Sequence, residues 1–201
     1  MAEDYTKNVF LNCPFDHKYL KIRNAIIFAI FDCGFVPRCA LEEDNSGNVR
    51  FDKIKRLISS SKYGVHDISR TEPDKTTKLP RFNMSLELGV FLGAACYGDH
   101  RQKDKNCLII DKKMYRYQVF MSDIAGQDVR SHENKPDTAI KIIRDWLNTA
   151  SGRKTIPGGG QIQRRYKRFQ KDLPAMCKQV PIRVDELTYN DYTNFISDWL
   201  R

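Results

Sequence analysis

A doubly wound α/β fold with a parallel sheet is predicted by three features of this 201-residue sequence. Short strand-like segments alternate with amphipathic helical segments through residues 1–150. The strand segments are apolar throughout rather than at every second residue, which is typical of strands covered on both faces. A glycine-rich segment at 151–160 then leads into a basic tail. We therefore predict an α/β domain over 1–150 and a short helical appendage over 151–201.

Local signals support the elements of the first half in turn. The apolar strand 8–12 is followed by Asp16, a favoured N-cap, and Gly34 stands where a C-cap glycine is favoured. Apolar residues at helical spacing predict a second helix after the polar turn at 42–48. The elements predicted in this half are strand 8–12, helix 17–31, strand 35–41, helix 50–60 and strand 63–68.

The helix predicted to begin at Asn83 is the most informative segment. It carries one carboxylate, Glu87, among apolar residues and glycines. Gly89 and Gly93 lie four residues apart, so we expect them to let the helix approach a neighbouring layer closely. Burying a carboxylate on an apolar helix costs folding free energy unless the carboxylate is paired with another group or takes part in function. Glu87 is therefore either a catalytic group or a paired structural acid.

The remainder of the chain is regular only in part. A fourth strand at 105–111 precedes an irregular segment that contains Asp123 in a polar cluster. Pro136 opens a helix that runs to about residue 150. Two further helices, at 161–173 and 191–200, are predicted in the tail, and five arginines and lysines cover much of the first. That basic surface is either a solvated helix face or a nucleic-acid contact.

Composition restricts the classes of function. Lys and Arg number 34 against 25 Asp and Glu, and the net charge of +9 favours anionic partners such as nucleotides or nucleic acid. The six cysteines form no CxxC pair and no Cys/His cluster, so we predict buried reduced thiols and no metal. The amino terminus is unlike a signal peptide, and no apolar run is long enough to span a bilayer. We expect a cytoplasmic protein without a membrane partner.

Polar and aromatic side chains follow the predicted strands. Ligands of open α/β sheets bind beyond the carboxyl ends of the strands, where the strand order reverses. An aromatic ring there suits base stacking, an arginine (Arg38 or Arg81) suits phosphate, and a carboxylate (Asp67 or Asp123) suits ribose hydroxyls. The candidate residues at this edge are Asn12, Phe15, Arg38, Asp67, Ser69, Asn83, Glu87 and Asp123.

Several candidates have a structural alternative. Arg38 is equally suited to an ion pair with Glu42 or Glu43. Asp67 and Ser69 read either as site residues or as a cap for the loop after the third strand. Phe15 is either a base-stacking residue or a core aromatic. Asp123 is either a ligand contact or a cap that orders its loop. For His66, inside a strand-like run, a core histidine is favoured.

Common catalytic motifs do not occur in this chain. There is no GxGxxG after the first strand, no GxxxxGK[ST] and no GxSxG. Dinucleotide-dependent dehydrogenases, P-loop NTPases and α/β-hydrolases are therefore disfavoured, and we predict no cofactor. The chemistry that remains is centred on one carboxylate. A glutamate can attack the anomeric carbon of an N-glycoside or stabilise an oxocarbenium-like centre there.

The order of these motifs resembles a known group of enzymes. An arginine-bearing second strand, then Asp67-Ile-Ser69, then Asn83 and Glu87-Leu-Gly89 resembles the nucleoside 2-deoxyribosyltransferase-like proteins and, more distantly, the TIR domains that hydrolyse NAD. The resemblance covers about residues 8–111 and implies a flavodoxin-like sheet. It implies Glu87 as nucleophile or oxocarbenium stabiliser, with Asp67 and Ser69 holding the sugar.

Two functions of different classes follow. The first, implied by the resemblance, is an N-glycosidase acting on a nucleotide, a nucleoside or NAD. Homologues of this type are often effectors of bacterial defence against phage, so a defence-system partner protein is expected. Relatives with this architecture commonly complete their sites across a subunit interface, so a homo-oligomer is expected as well. The alternative is a non-catalytic module that senses nucleotides through the same pocket, or associates with nucleic acid through the pocket or the basic tail.

Overall fold

A single parallel sheet organises the fold. The computed structural model describes residues 4–74, 76 and 78–201. Its five strands are hydrogen-bonded in the order β2-β1-β3-β4-β5, and all neighbouring pairs are parallel. The predicted doubly wound, flavodoxin-like α/β fold is therefore confirmed. The strands are β1 Asn8–Asn12, β2 Val36–Arg38, β3 Tyr63–Asp67, β4 Asn106–Asp111 and β5 Arg130–Ser131.

Helices connect the strands and extend beyond them. The 3-10 turn His17–Tyr19 precedes α1, and the side chain of Asp16 caps that turn by accepting from the Tyr19 N–H at 3.2 Å. Within the described part of the chain, no helix is long and apolar enough to cross a membrane. The helices are α1 Leu20–Asp32, α2 Arg50–Ser59, α3 Asn83–Tyr97, α4 His100–Lys103, α5 Pro136–Ser151, α6 Gly159–Gln179 and α7 Tyr189–Leu200.

The central strands are buried at every position because both faces of the sheet are covered. On β1, Val9 and Leu11 point into a core shared with α1 and α5, while Phe10 points into a second core under α2 and α3. All five residues of β1 and of β3 are buried. The continuous apolar runs in the sequence are thus the signature of two layers of helices around one sheet.

The carboxy-terminal helices pack on the same core as the sheet. Phe169 of α6 is fully buried and contacts Phe28 of α1, with ring centroids 5.4 Å apart. Ile162 and Ile196 belong to the same cluster as the β1 side chains. The predicted glycine-rich linker supplies the N-cap and first turn of α6 at 158–160. The boundary suggested at 151–160 therefore separates chain segments but not hydrophobic cores.

Helix α3 is less buried than its composition suggests. Only Leu88 and Phe91 are buried along its length. A Cβ added at Gly89 or Gly93 would meet no atom within 4 Å, so the expected close approach of these glycines to a neighbouring layer is wrong. The glycine that permits a close approach is Gly64 of β3, where a Cβ would lie 2.7 Å from the ring of Phe91.

The cysteines are all unpaired thiols. Cys13, Cys33, Cys39 and Cys177 are buried, Cys107 is partly buried and Cys96 is exposed. Burial raises the pKa of Cys33, Cys39 and Cys107 to about 12, which keeps these thiols protonated. The expectation of buried reduced thiols is met by Cys13, Cys33, Cys39 and Cys177, only in part by Cys107, and not by Cys96.

Candidate functional site

A cavity of about 850 Å³ opens at the carboxyl ends of β1 and β3. The strand order reverses at this point, because the chain passes from β1 outward to β2 and then back to β3. The loop after β1, the start of α2, the loop after β3 and the first two turns of α3 form the walls. The lining residues are Asn12–Asp16, Lys18, Arg50, Arg70, Glu72–Asp74, Arg81, Asn83, Met84, Glu87 and Lys112.

Glu87 lies in the second turn of α3 with its side chain on the cavity wall. Burial raises the pKa of the Glu87 carboxyl to about 7, and the positive charge of Arg50 opposes part of that rise. The side chain of Glu87 forms no hydrogen bond and no ion pair with any residue that the structure describes. The side chain of Asn83, one turn earlier on α3, makes no hydrogen bond to Glu87. Glu87 is thus a half-buried carboxylate without a structural partner.

Among the described residues, five cationic side chains line the cavity, and two of them are neutralised locally. Arg70 binds Asp16 through two hydrogen bonds, at 3.0 and 2.7 Å, and Lys112 is paired with Glu72. The remaining three have no ion-pair partner in the described part of the chain. They are Lys18, Arg50 and Arg81. A free cationic surface therefore lies in the same cavity as Glu87, where it suits a phosphate or another anion.

Asn12 and Phe15 shape the floor and the rim. The side-chain amide of Asn12 donates to the carbonyl of Met84 at 2.7 Å, which fixes the first turn of α3 against the end of β1. Its Nδ2 also lies 3.1 Å from Nδ1 of His66. His66 is a buried core histidine, as the sequence favoured, and burial lowers its pKa to about 3. Phe15 is 37% exposed and lines the same cavity.

Asp67 and Ser69 lie in a buried network behind the cavity. The Tyr19 hydroxyl donates to Oδ2 of Asp67, and the Ser69 N–H donates to Oδ1 at 2.7 Å. Nε2 of His132 lies 3.0 Å from both Asp67 Oδ2 and Ser69 Oγ. Nδ1 of His132 accepts from the Asn134 N–H at 3.1 Å, so Nε2 carries the hydrogen that faces Asp67.

This network holds elements together and does not open to the ligand. Tyr19 belongs to the turn after β1, Asp67 ends β3, and His132 follows β5. Asp67 and His132 are fully buried, Ser69 is 2% exposed, and none of them lines the cavity. The structure does not bring Asp67 or Ser69 to the cavity with Glu87, and their contact with a sugar stays a prediction. The placement supports a positioning role for both side chains.

Arg38 and Asp123 lie outside the cavity. Arg38 pairs with Glu42 at 2.9 Å, which is the structural alternative that the sequence left open. Asp123 is exposed on the 3-10 turn Ser122–Ile124, beyond the edge of the lining. Four of the eight candidates, Asn12, Phe15, Asn83 and Glu87, therefore share the cavity.

A scan against models of known protein families gives no match for this chain, and a search of curated proteins gives none. The likeness to nucleoside 2-deoxyribosyltransferase-like proteins accordingly depends on the motifs quoted above. In the described part of the chain, no group of three or more His, Cys, Asp or Glu side chains is placed to hold a metal ion.

The sequence did not point to Arg50, Arg70 or the Tyr19–His132 network. Signals for the two arginines were present, because Arg70 directly follows Ser69 at a strand end and Arg50 opens the helix after β2. The network had no local signal. His132 and Ser69 are 63 residues apart, and the two-residue strand β5 that delivers His132 is too short to leave a periodic pattern.

Proposed function

We propose that this protein is an N-glycosidase that cleaves the bond between base and ribose in a nucleotide, a nucleoside or NAD. The observation that carries the proposal is Glu87, an unpartnered half-buried carboxylate on the wall of a cavity at the strand-order reversal. A buried acid without a partner costs stability, and such groups occur mainly where chemistry uses them.

The proposed reaction uses the carboxylate form of Glu87. An oxygen of Glu87 approaches the anomeric carbon as the C–N bond breaks, and the bonding electron pair leaves with the base. Water then hydrolyses the glycosyl ester and restores the carboxylate, or attacks directly an oxocarbenium-like centre that Glu87 stabilises. The products are the free base and a ribose derivative. The burial that raises the pKa also strengthens the attraction between the carboxylate and the developing positive charge.

Other residues of the cavity suit the two ends of such a substrate. Phe15 offers a ring face for stacking on the base. Arg50, Arg81 and Lys18 offer unpaired positive charge for a phosphate. The bidentate Arg70–Asp16 pair fixes the loop after β1 that carries Phe15. We expect Asn12 and the Asp67–His132 network to act through positioning.

A non-catalytic nucleotide sensor that uses the same cavity is the second candidate. The basic tail gives less support to nucleic-acid association, because much of its charge is neutralised within the chain. Arg165 pairs with Asp32 at 2.8 Å, and Lys167 pairs with Asp137 at 2.9 Å. The sensor shares with the enzyme the free cations of the cavity, so turnover is the property that separates them.

A base-release assay tests the proposal directly. Purified protein is incubated with NAD, ATP, nucleosides and deoxynucleosides, and free base or nicotinamide is followed by liquid chromatography. Glu87→Gln should lower the rate at least about a hundredfold while the fold and substrate binding persist. Glu133→Gln is a matched control, because Glu133 is an exposed acid that pairs with Lys135 outside the cavity. Binding of these compounds without any release by wild type would favour the sensor.

A homo-oligomer and a defence-system partner protein are part of the same proposal. Helix α3 carries the catalytic candidate and leaves large apolar side chains exposed, which supports an oligomer. Support for a defence setting comes only from the resemblance. Adding candidate partner proteins to the base-release assay tests whether one of them activates the enzyme.

A further inference from the structure

A second cavity, of about 440 Å³, lies between α1 and the carboxy-terminal helices. The 3-10 turn Val184–Glu186 and the start of α7 close one side, and α1 closes the other. It is separated from the first cavity by the loop after β1, since Phe15 and Asp16 line the first and His17 lines the second. Its lining residues are His17, Leu20, Arg23, Asn24, Ile27, Leu173, Val184, Asp185, Leu187, Thr188, Tyr189 and Tyr192.

Arg23 is the unusual member of this lining. Its Nε is buried and has no hydrogen-bond partner in the described part of the chain. Its Nη1 makes one long contact, 3.5 Å, with the carbonyl of Phe15. No carboxylate among the described residues pairs with Arg23. The Nε–H is one of the five N–H donors of the guanidinium, and burying it without an acceptor is costly.

One thiol and two phenols that interact with Arg23 do not supply negative charge. Burial raises the pKa values of Cys13, Tyr19 and Tyr192 well above their ordinary values, so these groups stay neutral although the charge of Arg23 opposes the rise. Asp185 is the one acid among the described residues that line this cavity; it is exposed and is paired with Arg183 at 2.7 Å. The cavity thus holds an uncompensated positive charge.

Further features define what would satisfy that charge. The side-chain amide of Asn24, next to Arg23 on α1, has no hydrogen-bond partner among the described residues and adds a second free donor. Leu20, Ile27 and Leu173 form an apolar wall beside these donors. An inorganic anion would accept hydrogen bonds from the donors but leave the apolar wall exposed to water. An anion with an apolar body would accept the hydrogen bonds and also cover the wall.

We propose that this second cavity binds a small organic anion, a carboxylate or a phosphate monoester with an apolar or planar body, through Arg23 and Asn24. The anionic group accepts hydrogen bonds from the guanidinium and the amide, and the body packs on Leu20, Ile27 and Leu173. The site is independent of Glu87 and of the proposed glycosidase activity.

Four probes test the chemistry: benzoate, phenyl phosphate, inorganic phosphate and benzamide. The Nε–H resonance of Arg23 is followed by ¹⁵N NMR on the full chain and is assigned by its loss in Arg23→Lys. Benzoate or phenyl phosphate should shift this resonance saturably. Benzamide, the uncharged counterpart of benzoate, and inorganic phosphate, which has no apolar body, should bind at least about tenfold more weakly. The stronger of the two aromatic anions identifies the preferred anionic group.

Variants locate the binding. By calorimetry, Arg23→Gln should weaken the better aromatic anion about tenfold or more, whereas Arg81→Gln in the first cavity should not. If Arg23→Gln does not fold, the proposal is tested by two other results: weaker binding of the aromatic anion by Asn24→Ala, and the saturable shift of the Arg23 Nε–H resonance in wild type. The proposal is overturned by three results: no saturable shift with either aromatic anion, benzamide binding as tightly as benzoate, or loss of binding in Arg81→Gln.

Discussion

Glu87 is a carboxylate whose ionisation falls in the neutral pH range. Burial raises its pKa to about 7, so at that pH about half of the molecules carry the charged form. A nucleophile or an oxocarbenium stabiliser must be charged. We therefore expect kcat/KM for base release to rise with pH through about 7 and to level off above it. A rate that falls over the same range would assign Glu87 the role of a general acid.

The same residue is expected to limit stability. The pKa of Glu87 is raised from 4.5 to about 7 on folding, so between these values the native state binds more protons than the unfolded state. The free energy of unfolding should therefore fall as pH rises through this window. Glu87→Gln should remove that fall and stabilise the protein by about 1–3 kcal/mol above pH 7.

Urea denaturation of both proteins, at acid and at mildly alkaline pH, measures this effect. Equal stability of wild type and Glu87→Gln at every pH would mean that Glu87 is not strained in the native state. Glu133→Gln serves as the control here too, because its side chain is exposed and lies outside the cavity. If Glu87→Gln is more stable than wild type and no longer releases base, Glu87 is a residue kept for catalysis at the expense of stability.

Sequence patterns located some site residues and misplaced others for identifiable reasons. Asn12 and Glu87 follow from the rule that polar side chains at the carboxyl ends of parallel strands meet. Arg38 did not follow that rule because Glu42, four residues later in the turn after β2, offers a local ion pair. Asp67 lies at the predicted edge, but its side chain turns to His132, a contact that only the folded chain creates.

At the scale of elements, Gly64 sets the distance between β3 and α3. A Cβ at this position would lie 2.7 Å from Phe91 and 2.8 Å from Nε2 of His66, both buried. Gly64→Ala should therefore destabilise the protein by about 1–3 kcal/mol, since neither ring has room to move. Chemical denaturation measures the loss. Gly160→Ala is the control and should be neutral or stabilising, because its new methyl group meets only the end of a flexible arginine on α6.

The outer face of α3 is expected to be a contact between copies of this chain. Phe82, Leu86 and Tyr97 are 66%, 55% and 92% exposed, and their spacing places them with Gly89 and Gly93 along one side of the helix. A two-fold pairing of this face would bury the side chains of both copies. Leu86→Asp should convert the dimer to a monomer in sedimentation velocity.

A control separates this effect from general solubility. Val119 is 90% exposed on a different element, so Val119→Asp should leave the sedimentation coefficient unchanged. A monomeric wild type at the concentrations of the activity assay would contradict the prediction. The sequence did not reveal this face, because apolar residues on all sides of α3 are typical of a fully buried helix. In the structure, only Leu88 and Phe91 of α3 are buried.

For the whole molecule, the order of elements was predictable and the closure of the core was not. Alternating strands and helices specify the doubly wound sheet, because short connections leave few other arrangements. The glycines at 158–160 read as a linker, yet they begin a helix whose apolar stripe reaches α1. The apolar side of such a helix can pack on its own chain or on a partner. Which of the two occurs depends on side-chain packing between residues far apart in the sequence, and a single sequence does not reveal that packing.

The tail should therefore fold and unfold together with the sheet. Phe169 is fully buried between Phe28, Tyr192 and Trp199, with ring centroids 5.4–5.8 Å apart. Phe169→Ala should destabilise the protein by about 3–5 kcal/mol and shift one cooperative transition, observed identically by far-ultraviolet circular dichroism and by tryptophan fluorescence. Trp146 reports on α5 and Trp199 on α7, so fluorescence covers both regions. Two separated transitions, with only the Trp199 signal lost early, would instead mark α6 and α7 as an independent appendage, as the sequence suggested.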